Sequence, residues 1–230
     1  SAVRHVRFFE ELSLGDVPLV GGKNASLGEL YRRLTAQGVR VPNGFATTAG
    51  AFRLVLDGAQ AWQPLRAALA RAGEGVEALA EGAAKAREIV RNAPFPPELS
   101  AQILEAHGRL LEQYGEQLSV AVRSSATAED LPTASFAGQH ETFLNIHGAE
   151  RVVEACRRCF ASLFEARSIY YRQVNNFDHT KVALAVPDCA TGSAGRRAVT
   201  ACGRPTPGAA PRAPGPAGWR PPFGSELICR

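Results

Sequence analysis

Two short segments carry residue types able to hold a polyanion. Gly21-Gly22-Lys23-Asn24-Ala25-Ser26 sets one ammonium among small residues, and Val120-Ala121-Val122-Arg123-Ser124-Ser125-Ala126-Thr127 ends an apolar run on a guanidinium followed by three hydroxyls. Small neighbours let a backbone approach an anion closely, a guanidinium holds phosphate oxygens bidentately, and hydroxyls and loop N–H groups take the remaining acceptors. The chemistry in view is a phosphate grip made from two sides. Each segment also has a plainer reading. The first, alone, is compatible with a turn bearing a solvated lysine. It is not a Walker A loop, because Val17 stands where that motif's first glycine would be and Asn24 follows the lysine. The second is compatible with a polar loop closed by Glu129 and Asp130 pairing with Arg123.

Periodicity indicates what must position these groups. Residues 14–23 read as an extended segment ending in a Gly-Gly turn. Leu27, Leu30 and Leu34 recur at helical spacing with Ser26 and Glu29 in capping-box register, so a helix is expected to start at or just before Ser26. Lys23 then stands at a helix N-terminus, where unpaired N–H groups and the macrodipole favour an anion. Residues 45–48 read as extended, and helical stripes follow through Phe52, Val55 and Leu56, through Trp62, Leu65 and Leu69, through Val76 to Val90, and through Leu99 to Tyr114 after Pro96-Pro97. His107 in the last stripe reads as a surface or packing residue. Residues 118–122 form a strand delivering Arg123 to a hydroxyl-rich loop. Residues 141–146 form another strand, with Thr142, Leu144 and Ile146 on one face; a long helix covers 150–171, and 181–186 is a last strand. Helices interleaved with short strands indicate an α+β or α/β domain.

Composition narrows the class. At 230 residues and 45% apolar the chain can build a sizeable core, and no run of eighteen apolar residues spans a membrane. The first residues show no secretory or transit pattern, which leaves a cytoplasmic location by default. The chain contains no methionine, so Ser1 is not expected to be the natural start. The net charge of +4 arises entirely in the last 44 residues, since residues 1–186 hold twenty basic and twenty acidic side chains. The basic balance is therefore no sign of nucleic-acid binding. Cys156 and Cys159 lie on a helical stripe with Val152, Phe160 and Leu163; they read as core residues, with a metal or redox pair as the alternative.

From Pro187 onward, 29 of 44 residues are Ala, Gly, Pro or Arg, and no helical or strand period survives. Residues 1–186 are thus read as the domain and 187–230 as a disordered tail. The enriched residues are those of GC-rich codons, so a shifted reading frame near residue 187 is the expected origin, against a native flexible linker.

The set GGKNASLGEL at 21–30, VPNGFATTAGAF at 41–52, VAVRSSATAEDLPTASFAGQHETFLNI at 120–146 and CFASLFEARSIYYR at 159–172 resembles the N-terminal ATP-binding domain of the phosphoenolpyruvate synthases (pyruvate, water dikinases). The resemblance runs from about residue 8 to residue 186. It implies an α+β, ATP-grasp-like nucleotide domain, here incomplete. In the complete enzyme a phosphohistidine domain and a pyruvate-binding barrel would follow, and a homo-oligomer is compatible with it. The implied reaction converts ATP, pyruvate and water to phosphoenolpyruvate, AMP and phosphate, with Mg2+ and a phosphohistidine.

By resemblance, Lys23 and Arg123 contact ATP phosphates, and Ser124, Ser125 and Thr127 line the same loop. None of the five histidines matches the phosphocarrier, and His140 replaces a residue that is usually glutamine. The carboxylates that hold Mg2+ in the family lie beyond this chain, and pyruvate would be reached only through the absent C-terminal domain. The chain alone is therefore expected to bind ATP weakly, without catalysis, nucleic acid or membrane as partner. The alternatives are the ATP domain of a rifampicin phosphotransferase-like kinase and a non-catalytic binding module.

Overall fold

The computed structural model describes residues 3–126, 130–131, 134–135, 142–179 and 182–191; Thr127, Glu129, His140 and residues 192–230 lie outside the described residues. The strands are β1 (Val6–Phe8), β2 (Gly44–Thr47), β3 (Ser119–Arg123), β4 (Ser125–Ala126), β5 (Asp130–Leu131), β6 (Ala134–Ser135), β7 (Thr142–Ile146), β8 (Leu184–Ala185) and β9 (Pro187–Thr191). The helices are α1 (Val17–Val20), α2 (Gly22–Ala36), α3 (Ala49–Gly58), α4 (Trp62–Leu69), α5 (Val76–Asn92), α6 (Pro97–Tyr114), α7 (Ala149–Ser162) and α8 (Ala166–Val174).

An antiparallel sheet in the order β1-β2-β9-β3-β7 organises an α+β domain. Successive side chains of a strand point to opposite faces, and β2 is buried on both. Phe45 joins the large core built with α3 to α7, whereas Ala46 packs with Val20 of α1 and Ala25 of α2. In the large core Phe160 of α7 meets Phe52 of α3 edge-on at 5.4 Å and stacks on Phe95 at 6.1 Å. Leu99, Ile103 and Leu110 of α6 are fully buried, as their spacing requires. Burying such a side chain contributes roughly 1.5–3 kcal/mol. The helical stripes of α3 to α6 thus lie where periodicity put them, except that Val76 at the start of α5 is exposed.

Five expectations are corrected. Residues 14–23 are not extended: a 3-10 turn at Leu14–Asp16 leads into α1. The Asp16 carboxylate accepts from both the backbone N–H and the hydroxyl of Ser13 at 2.8 Å, and Pro18 fits a first helical turn because no N–H is needed there. Helix α2 consequently begins at Gly22 rather than near Ser26, and Glu29 pairs with Arg33 at 2.5 Å instead of closing a capping box.

The long helix expected over 150–171 breaks into α7 and α8. Ser162 donates its hydroxyl to the Cys159 carbonyl at 2.7 Å, and Arg172 donates to the Leu163 carbonyl freed at the break, also at 2.7 Å. In β7, Asn145 has φ 57° and the register slips opposite β3, so that Val120 faces Ile146 but Val122 faces Phe143. This bulge puts Phe143 and Ile146 against the core and leaves Leu144 half exposed, overturning the simple alternation.

Finally, the boundary at residue 187 falls too early. Pro187–Thr191 is β9, inserted between β2 and β3 in the middle of the sheet. Pro187 is tolerated as its first residue, where a missing N–H costs least. The two flanking strands present N–H and C=O groups that a strand between them satisfies.

Candidate phosphate-binding site

Gly21 makes the first side of the site possible. Its φ of 78° lies in the region open to glycine, and it lets the chain turn from α1 straight into α2. Asn24 fastens the corner by donating from Nδ2 to the Val20 carbonyl at 2.7 Å, while its buried Oδ1 has no hydrogen-bond partner among the described residues. Lys23 is therefore the second residue of α2, inside its first turn and exposed. That turn presents backbone N–H groups that the helix itself leaves without acceptors, at the positive end of its dipole.

Arg123 ends β3 opposite Thr142 and is half-buried. The two-residue period puts it on the same face as Ala121, whose partner Cys189 packs in the small core with Val20 and Ala25. This is the face covered by α1 and α2. One residue later the chain forms β4, where Ser125 pairs with Ala185 of β8, and α2 packs against β4. Lys23 and the Arg123–Ser125 corner thus belong to one side of the sheet. Ser124 and Ser125 are buried, and neither hydroxyl has a hydrogen-bond partner among the described residues. A buried hydroxyl left unsatisfied costs about 1–3 kcal/mol, which a ligand oxygen would relieve. Thr127, the remaining residue expected here, lies outside the described residues.

The other chemically capable groups sit elsewhere. His107 is fully buried, and burial keeps its imidazole below the usual histidine range, so it is a neutral packing residue. Cys156 and Cys159 are both in the core, and burial, reinforced by Asp188, pushes the Cys156 thiol well up and leaves it unreactive. Among the described residues no three His, Cys, Asp or Glu side chains form a metal-ligand set, so the residues on view offer cations and hydroxyls to phosphate oxygens but no inner shell for Mg2+. No helix among them is long and apolar enough to cross a membrane. Two groups went unnoticed in the sequence: the buried Asp188 of β9, and the Arg172–His179 pair. Asp188 lies in no motif and Arg172 only ends the 159–172 segment; nothing local marks their burial, which follows from the sheet order and from the α7–α8 break.

Cations and buried hydroxyls on one side of a sheet are groups suited to the phosphates of a nucleotide. The family described as pyruvate phosphate dikinase, AMP/ATP-binding domain, matches residues 17–187, and the chain belongs to that family. Among curated proteins, the phosphoenolpyruvate synthase of Synechocystis sp. is 50% identical over 187 residues, covering 79% of this chain. That of Neisseria meningitidis is 50% identical over 186 residues and 80% of the chain; that of Escherichia coli is 48% identical over 181 residues and 78% of it. In each case the matched part is 23% of the relative, so the chain spans about a quarter of the length of these synthases.

Proposed function

We propose that this chain is the phosphate-gripping part of an ATP-binding domain whose complete protein makes phosphoenolpyruvate from pyruvate, ATP and water. The observation that carries this reading is the corner where α2 packs on β4, with Lys23 and Arg123 on one face of the sheet and the two buried hydroxyls of Ser124 and Ser125 directly after Arg123 in the chain. Phosphoryl transfer is mainly positioning and charge neutralisation, and fixed cations beside a helix N-terminus perform both on a triphosphate. Lys23 would hold phosphate oxygens as a point charge at the head of α2. Arg123 would hold them through its planar fork, and Ser124, Ser125 and Thr127 would complete the acceptor set.

Chemistry on pyruvate needs groups beyond this chain. The 230 residues alone would bind ATP weakly and release no AMP. Carboxylates able to hold Mg2+ would come from the rest of the protein, where the metal would neutralise charge on the triphosphate. The GC-codon composition after residue 191 supports a shifted frame as the origin of the tail, and DNA downstream of residue 186 read in three frames tests it. For the site, the experiment is an ATP titration of the wild-type chain beside Lys23→Ala and Arg123→Ala. Equal affinities in all three would end the assignment. Pyruvate-dependent AMP release by the purified chain would overturn the proposed lack of catalysis.

A further inference from the structure

A groove of about 330 Å3 lies between α4 and the turn following α8, away from the corner just described. Trp62, Leu65, Leu69 and Phe164 form its apolar side, and Arg66 and His179 its polar end. Both aromatic walls are held in place. Trp62 donates from Nε1 to Asp57 at 2.5 Å and meets the Phe52 ring edge-on at 6.4 Å. Phe164 is buried, with the Arg172 guanidinium 5.8 Å from its ring centre.

The polar end has a defined proton. Arg172 Nε donates to His179 Nδ1 at 2.9 Å. A guanidinium can only donate, so Nδ1 is the acceptor and the ring proton resides on Nε2. Arg172 is fully buried; its Nη2 donates to the Leu163 carbonyl, and its Nη1 has no hydrogen-bond partner among the described residues. A cation withdrawn from water without a carboxylate against it projects a strong positive potential through a low-dielectric surround. Here that potential emerges at His179, and Arg66 adds a second positive charge at the rim. Asp178 is the one carboxylate among the lining residues, so the polar end is positive overall.

We propose that this groove binds a small aromatic carboxylate, its ring against Trp62 and its carboxylate accepting from His179 Nε2 beside Arg66. An apolar slot ending in one N–H donor backed by a buried cation selects a flat apolar body with a single anionic head. The volume lies at the small end of ligand pockets, which run from about 300 to 1,000 Å3.

Benzoate titrated into the full 230-residue chain tests this, read by tryptophan fluorescence in a Trp219→Phe background that leaves Trp62 as the sole reporter. Benzyl alcohol serves as the neutral control. The expected result is a saturable change with benzoate, with the alcohol and the His179→Ala variant each about tenfold weaker, as for loss of one charge-assisted hydrogen bond. Ala70→Phe, an exposed substitution that fills the groove, should abolish the signal at an unchanged thermal midpoint, which keeps the test decisive should His179→Ala fail to fold. Absence of a saturable change, equal affinity for the alcohol, or indifference to Ala70→Phe would overturn the proposal.

Discussion

The carboxyl of Asp188 lies 3.6 Å from the Cys156 thiol, in the apolar layer between the central strand β9 and helix α7. Cys156 donates its S–H to Oδ2, while Oδ1 is buried with no partner among the described residues. A thiol is a weak donor and does not offset the desolvation of a carboxylate. Burial therefore drives the Asp188 acid well above its usual range.

Asp188 thus makes stability fall with rising pH. A carboxyl raised in the folded state contributes stability that is fully present below its ordinary value of 3.8 and is lost as pH rises through the elevated one. Asp188→Val should remove that slope and stabilise the chain by about 1–3 kcal/mol at pH 8, since an apolar β-branched residue replaces an unsatisfied acid in a strand. Urea unfolding of both proteins at pH 5 and pH 8 measures it; an equal or less stable valine variant at pH 8 would contradict the assignment.

His179 acts in the opposite sense. Burial, aided by the Arg172 guanidinium, depresses its imidazole to about 4. A base so depressed contributes stability present above its ordinary value of 6.5 and lost as pH falls toward 4. Proton NMR of the His179 ring should show a midpoint near 4, and a midpoint at or above 6.5 would mean that Arg172 does not hold it.

At the phosphate corner, Lys23→Ala and Arg123→Ala should each weaken ATP binding by at least about tenfold, the scale of one lost charge-assisted contact. Thermal midpoints should hold within a few degrees, because Lys23 is exposed and Arg123 only half-buried. Calorimetric titration beside a melting curve separates a lost contact from a lost fold.

Gly28 fixes how closely α2 approaches the N-terminal segment. A Cβ there would overlap the side chain and carbonyl of Leu12, which packs with Val20 and Ala25 beneath the helix. Gly28→Ala should cost about 1–3 kcal/mol by overpacking, despite alanine's better helix propensity. A denaturation midpoint at or above wild type would show that α2 can shift without loss.

Much of the scaffold was legible in the chain because its signals are local. The stripes of α3 to α6 recur every three or four residues, and the apolar run of β3 ends on Arg123 whatever surrounds it. Where a partner strand or a hydrogen bond made elsewhere decides, the reading failed. Asn145 bulges to suit the register of β3, and no proline or glycine marks the α7–α8 break, which Arg172 caps from nine residues away. The start of α2 was missed because α1 and the left-handed Gly21 turned an apparent strand into helix.

By itself the sequence determined the residue types of the grip, the helical stripes and the family resemblance, since motif and period are properties of neighbouring residues. Only the tertiary structure decided that Lys23 and Arg123 share one face of the sheet, that Pro187–Thr191 is its central strand, and that Asp188 and Arg172 lie in the interior. Those outcomes depend on strand order and helix docking, which join residues distant in the chain, as Gly44 is joined to Cys189. A carboxylate's environment is set by whatever that docking brings against it.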